Sequence, residues 1–180
     1  PAVPYPFETA AEMLAMAARS GLGIAAMKRA NERARMPQAA LDDGIRRIWQ
    51  VMSGCIDRGL ATEGVLPGGL NLRRRAAGLA AQLERERGLN LAAPHMVNDW
   101  IAAYAMAVNE ENAAGGQVVT APTNGAAGVV PAVIRYWLDH VPGASNARLP
   151  DFLLTAAAIG GIVKHNASIS GAECGCQAEV

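Results

Sequence analysis

Apolar side chains recur at three- and four-residue steps along most of this chain, and that spacing constrains it to helices. The clearest case is Ile45, Ile48, Trp49, Met52, Cys55 and Ile56, one stripe down a single helical face that ends near Arg58-Gly59. Val97, Trp100, Ile101, Tyr104 and Val108 form a second stripe within Met96–Val108. Breakers set further boundaries. Phe7–Ser20 reads as a helix closed by Gly21, Leu22–Arg35 as one ended by Pro37, and Arg73–Arg87, Pro131–His140 and Pro150–Lys164 as three more. Gly116–Thr120 is the longest alternating stretch, too short to argue for a sheet. Apolar residues make up 51% of the 180 positions and aromatics only 4%, so closely packed helices fit better than an aromatic-rich sandwich. The expected fold class is all-α: one helical domain with Gly-rich functional loops, no repeat and no long linker, incomplete at its C-terminal side.

Charge and cysteine usage exclude several functions. The formal net charge is zero, so no electrostatic footprint for nucleic acid or an anionic membrane surface is present. The one dense basic run, Arg73-Arg74-Arg75, reads as a solvated face at a helix start. The apolar run Phe152–Val163 falls short of the roughly 20 residues a membrane span needs. The opening Pro1-Ala2-Val3-Pro4 lacks the charge and apolar core of a signal peptide. Three cysteines, two of them in Cys174-Gly175-Cys176, do not make a disulfide framework, and a reducing cytoplasm is expected. Cys55 lies on the apolar stripe and reads as a core thiol. His95 and His140 read as isolated, structural or exposed. Gly21-Leu22-Gly23-Ile24-Ala25-Ala26 matches a dinucleotide-binding pattern, but a helix precedes it where that pattern needs a strand.

Three segments break local rules. Asn109-Glu110-Glu111-Asn112 places two carboxylates at the C-terminal end of a helix, against the dipole. Either that end is frayed and solvated, or the cluster is held at a site. Gly115–Ile134 carries no charged residue, yet Thr120, Thr123 and Asn124 interrupt its apolar run, and Gly125 and Gly128 lie within it. It is either a buried packing segment or a loop that brings backbone N–H groups to an anion, with a helix starting near Asn124 or at Pro131. Third, Lys164 and His165 close an apolar helix, where cations are favoured. Asn166, Ser168, Ser170, Glu173, Cys174, Cys176 and Gln177 follow, separated by small residues, a composition suited to a site.

These segments carry a resemblance. Cys55-Ile56-Asp57-Arg58-Gly59 with Thr62-Glu63-Gly64-Val65-Leu66-Pro67-Gly68, then 107–116, then Val118-Val119-Thr120-Ala121-Pro122-Thr123-Asn124-Gly125-Ala126 running into Val129–Val133, and finally Asn166–Glu173 leading to Gly175-Cys176-Gln177, resemble in order the catalytic (alpha) domain of bacterial iron–sulfur L-serine dehydratases. The resemblance covers nearly the whole chain. It implies a helical catalytic domain that uses a [4Fe-4S] cluster, not pyridoxal phosphate, to convert L-serine to pyruvate and ammonia in a homo-oligomeric full-length enzyme. Cys176 matches a cluster cysteine. The other cluster cysteines and the amino-terminal beta domain of that family are expected outside this chain. Departures occur at Cys174, usually aliphatic, at Ala127, often cysteine, and at Ala178, commonly glycine, so Cys174 is a poor ligand candidate.

On this reading Thr120, Thr123, Asn124 and Gly125 anchor the substrate carboxylate, and Asn166, Ser168 and Ser170 complete its binding. Lys164 and Glu173 are the candidate catalytic groups, with Lys164 a base or carboxylate partner. A cluster with one open iron needs three protein thiolates, so this chain alone is expected to hold no intact cluster and to be inactive. Two competing readings are a pyridoxal enzyme, for which only Lys28 and Lys164 are available as Schiff-base lysines, and a non-catalytic helical interaction module.

Overall fold

The computed structural model describes residues 2–87, 95–120 and 123–166. Its helices are α1 (Ala10–Ser20), α2 (Ile24–Arg33), α3 (Gln38–Ala61), α4 (Ala76–Arg87), α5 (Met96–Ala113), α6 (Val129–His140) and α7 (Leu149–Asn166), with one 3-10 turn at Asn146–Arg148. Among the described residues no β-strand forms, and a single isolated bridge pairs Val65 with Arg73. The fold is all-α, as the periodicity requires. The chain divides into two compact units: residues 1–48, 121–123 and 145–180, and residues 49–120 and 124–144.

In the first unit, the chemistry of Thr9 and Glu12 sets where α1 begins. Thr9 Oγ1 accepts from Glu12 N at 3.2 Å, while Glu12 Oε2 accepts from Thr9 N at 3.1 Å and from Glu8 N at 2.8 Å. This reciprocal cap starts the helix three residues after Phe7 and frees Phe7 to pack on the core. The Glu8 and Thr9 N–H groups hold the Glu12 carboxyl below its ordinary pKa. Gly21, at φ +68°, closes the helix in a left-handed cap. Met13, Met27 and Ala158 form the buried core of this unit, with α2 packed along α7. Asn31 is buried and makes two bonds with the Tyr5 backbone, donating to its carbonyl at 2.7 Å and accepting from its N–H at 2.8 Å, so both halves of the buried amide are satisfied. Arg29 reaches Asp42 on α3 and Asp151 on α7, each at 3.4 Å.

The second unit is built around Cys55, Ile56, Leu83, Trp100, Tyr104, Val108 and Ala132, all buried. Both sequence stripes contribute to the cores, although Ile48 and Val97 remain exposed. Helix α5 packs against both α4 and α6. Its polar side joins α6 through a network the sequence did not reveal. Tyr104 Oη lies 3.1 Å from Asp139 Oδ2 and 3.1 Å from His140 Nε2. The His140 ring stacks on Tyr136 with centroids 4.8 Å apart, so His140 is not isolated as its sequence context implied. Arg135 donates to Asp139 at 2.7 Å and to Asp57 and Ser53 on α3 at 2.8 and 3.2 Å. Burial, reinforced by Asp139, raises the Tyr104 pKa, so this hydroxyl stays protonated.

Candidate functional site

Helix α5 continues to Ala113, five residues past the expected end at Val108. Asn109–Asn112 therefore form its last turns and do not fray. Glu110 and Glu111 are both buried, at 6% and 7% exposure, which decides between the two readings of this cluster: it is held. Each carboxylate has its own partners. Glu110 Oε1 accepts from the backbone N–H of Arg75 at 2.7 Å and of Ala76 at 3.3 Å, at the first turn of α4. An acid from α5 thus caps the N-terminus of α4, where the dipole favours negative charge. That cap also explains why α4 starts at Ala76 and not at Arg73.

Glu111 is held by two guanidinium groups. Arg74 Nη1 donates to Oε1 at 2.9 Å and Arg58 Nε donates to Oε2 at 3.1 Å. The Arg74 side chain is 7% exposed, which corrects the reading of 73–75 as a uniformly solvated face. The segment is extended there: Val65 bridges Arg73, Leu66 N donates to Leu72 O at 2.8 Å, and Arg74 N donates to Gly64 O at 2.9 Å. Side chains alternate across an extended backbone, so Arg74 points in while Arg73 and Arg75 point out. Sequence reasoning missed Arg58 and Arg74 as the partners that hold Glu111. Leu72-Arg73-Arg74-Arg75 has no apolar–polar alternation that sets Arg74 apart from its neighbours, and no local pattern marked Arg58, which sits on a helix.

The same cluster fixes the segment that follows. Gly116 N donates to Glu111 O at 2.8 Å, and Arg58 Nη2 donates to Gln117 O at 3.4 Å. Asn124 Nδ2 donates to Asn112 Oδ1 at 3.3 Å, joining the end of α5 to the turn before α6. That turn, closed by Ala127 N to Asn124 O at 3.2 Å and Val129 N to Ala126 O at 3.0 Å, delays the helix start to Val129, later than Asn124 and two residues before Pro131. Pro131 falls in the first turn, where its missing N–H costs nothing. Gly128 lies against α5 so closely that a Cβ there would sit 2.8 Å from Ala105 O.

Of the expected substrate residues, Thr120, Asn124 and Gly125 belong to this second unit and all are exposed, with Asn124 tied to Asn112. Thr123, Lys164 and Asn166 belong to the first unit. Lys164 is exposed in the last turn of α7. Asn166 Nδ2 donates to Glu8 O at 2.7 Å and to Ile162 O at 3.0 Å, so its amide group serves as a backbone tie. Ser168, Ser170, Glu173, Cys174 and Cys176 lie outside the described residues. Among the described residues no group of three or more His, Cys, Asp or Glu side chains converges on a metal position. Cys55, the one described thiol, is 1% exposed within the core, and burial raises its pKa, so it does not fit a thiolate ligand.

A match to the model of the serine dehydratase alpha chain covers residues 19–180. The chain belongs to the serine dehydratase alpha chain family. Among curated proteins, this serine dehydratase alpha chain is 54% identical over 176 residues to an L-serine dehydratase of Streptomyces coelicolor, a match covering 98% of this chain and 38% of the relative. It is 50% identical to L-serine dehydratase TdcG of Escherichia coli and 42% identical to an L-serine dehydratase of Helicobacter pylori, with 99% of this chain and 39% of each relative covered. The chain therefore spans about two fifths of the length of these curated relatives. No helix among the described residues is long and apolar enough to cross a membrane.

Proposed function

We propose that this chain is the front part of the catalytic domain of a longer L-serine ammonia-lyase, which dehydrates and deaminates L-serine to pyruvate and ammonia in a reducing cytoplasm. The observation that carries this reading is the hydrogen bond from Asn124 to Asn112. It attaches the uncharged turn after Thr120 to a buried, arginine-held helix end in a family whose curated relatives are named for L-serine dehydration.

The substrate carboxylate needs hydrogen-bond donors without a competing fixed anion. Thr120, Thr123, Asn124 and Gly125 offer hydroxyl, amide and backbone donors in a stretch free of charged residues. The carboxylates that precede this stretch, Glu110 and Glu111, are occupied, the first by backbone N–H groups of α4 and the second by two arginines. From their sequence motifs, Asn166, Ser168 and Ser170 are further candidates for binding substrate, and Lys164 and Glu173 for proton transfer. Cys176 would hold one iron of a [4Fe-4S] cluster, with the remaining thiolates supplied from outside this chain in a homo-oligomeric full-length enzyme. When bound, that cluster supplies an open iron as Lewis acid for departure of the serine hydroxyl.

The test is anaerobic reconstitution with iron and sulfide followed by a pyruvate assay, run on the 180-residue chain and on the longer polypeptide. Iron-dependent pyruvate formation is expected from the longer polypeptide alone. Turnover by this chain, or iron-independent turnover by the longer one, overturns the proposal.

A further inference from the structure

A groove of about 770 Å³ opens beside α5 in the second unit, with Glu110 among its lining residues. Ala102, Ala105 and Met106 of α5 form one side, and Leu66 and Leu72 of the 64–74 segment form the other. In the same 64–74 segment Val65, Leu70 and Leu72 are 54%, 81% and 55% exposed, and of these Leu72 lines the groove. Three large aliphatic side chains exposed within eight residues are unusual for a surface that stays in water.

Charge tells what covers it. Arg73 and Arg75 line the groove, and neither side chain has a hydrogen-bond or ion-pair partner among the described residues. Their neighbour Arg74 is fully used by Glu111. Among the described residues the one carboxylate lining the groove is Glu110, which is bound to backbone N–H groups of α4. Among the described residues, therefore, two positive charges without a carboxylate partner border an aliphatic floor, with Asn109 also lining the groove. Nucleic acid would need stacking surfaces, and no aromatic side chain among the described residues lines this groove.

We propose that this groove is a docking site for an extended acidic segment of a partner protein, with carboxylates paired to Arg73 and Arg75 and aliphatic side chains laid on Leu66, Leu72 and Met106. Guanidinium–carboxylate pairs set orientation and the aliphatic contacts supply burial. The inference is independent of the reaction proposed above and needs neither serine nor a cluster.

The probe is a dye-labelled hexapeptide of alternating leucine and glutamate, titrated against the 180-residue chain by fluorescence anisotropy, with circular dichroism confirming that each protein is helical. Saturable binding is expected, weakened at least about tenfold by the R73Q/R75Q double substitution and weakened again between about 0.05 M and 0.5 M salt. Leu72→Ser is expected to weaken binding as well, and Arg35→Gln, in the other unit, to leave it unchanged. Each arginine variant keeps the backbone N–H groups that Glu110 needs, so folding is preserved. Equal affinity for a leucine–lysine hexapeptide, unchanged affinity in helical R73Q/R75Q, or displacement of the peptide by anionic lipid vesicles overturns the proposal.

Discussion

Gly59 on α3 lies directly on the backbone of Ala107 on α5: a Cβ added at 59 would fall 2.7 Å from the Ala107 carbonyl carbon and Cβ, distances that real side chains do not adopt. This places the helix carrying Cys55, Ile56 and Arg58 against the helix carrying Glu110 and Glu111. The Gly128–Ala105 contact does the same for α6. Alanine is ordinarily the better helix former, by about 1 kcal/mol in a helix interior. At position 59 the expected sign reverses. Gly59→Ala should destabilise the fold by about 1–3 kcal/mol through overpacking, with Gly128→Ala acting in the same direction. Gly69→Ala, in open space, should leave stability nearly unchanged. Urea unfolding followed by circular dichroism measures all three.

Arg74→Leu removes the more buried partner of Glu111 and leaves Arg58, which is half exposed, to compensate it. The expected cost is roughly 3 kcal/mol, because a buried carboxylate loses its main counter-charge. Glu111→Gln in the same background should recover part of that loss. A double-mutant cycle by chemical denaturation reads the coupling, and strictly additive effects would contradict the geometry.

Burial, with the Arg87 charge next in size, lowers the His140 pKa below its ordinary 6.5. A histidine kept neutral in the fold takes up a proton more readily when unfolded. Its contribution to stability is therefore complete above about pH 6.5 and lost as pH falls through that value toward the depressed one. Thermal unfolding between about pH 7.5 and pH 5 should show this loss, and His140→Phe, which keeps the ring stacked near Tyr136, should flatten the curve over that interval. Glu12, whose carboxyl is also lowered, loses its contribution only at more acidic pH, so the two effects separate.

On the proposed reading, Asn112→Ala in the longer polypeptide should raise the KM for L-serine about threefold to tenfold, the value of one hydrogen bond, with a smaller effect on kcat. Asn112 holds Asn124 and need not touch substrate, so Asn112→Gln, which keeps a neutral amide oxygen as acceptor for Asn124 Nδ2, should restore part of the loss. Initial-rate measurements of pyruvate formation check this pattern. Equal loss in kcat and no recovery in the glutamine variant would argue against a positioning role.

The helices were legible because one side of each is buried and the period survives in the residues. Boundaries were not, where a distant side chain sets them. Glu110 decides where α4 begins, thirty-odd residues upstream, and no local pattern around Arg73 carries that information. Thr9 and Glu12 did offer a local cap that sets the start of α1 at Ala10. Of the rule-breaking segments, Asn109–Asn112 is the one whose carboxylates the structure shows to be buried and held. Helix dipole reasoning flagged Glu110 and Glu111, and the structure shows that a neighbouring helix and two arginines outweigh that local penalty. His140 read as isolated because one of its partners, Tyr104, is 36 positions away and the other, Tyr136, meets it by ring stacking.

The division of labour between the two adjacent glutamates bears on how variants of this family are interpreted. Glu110 works as the missing first-turn ligand of another helix, and Glu111 as the anchor of two arginines. A screen scored by enzyme activity would rank substitutions at both among the most damaging and invite a chemical role for each. Soluble yield and melting temperature would assign the same losses to assembly, and the acid–base chemistry would have to be sought in other side chains.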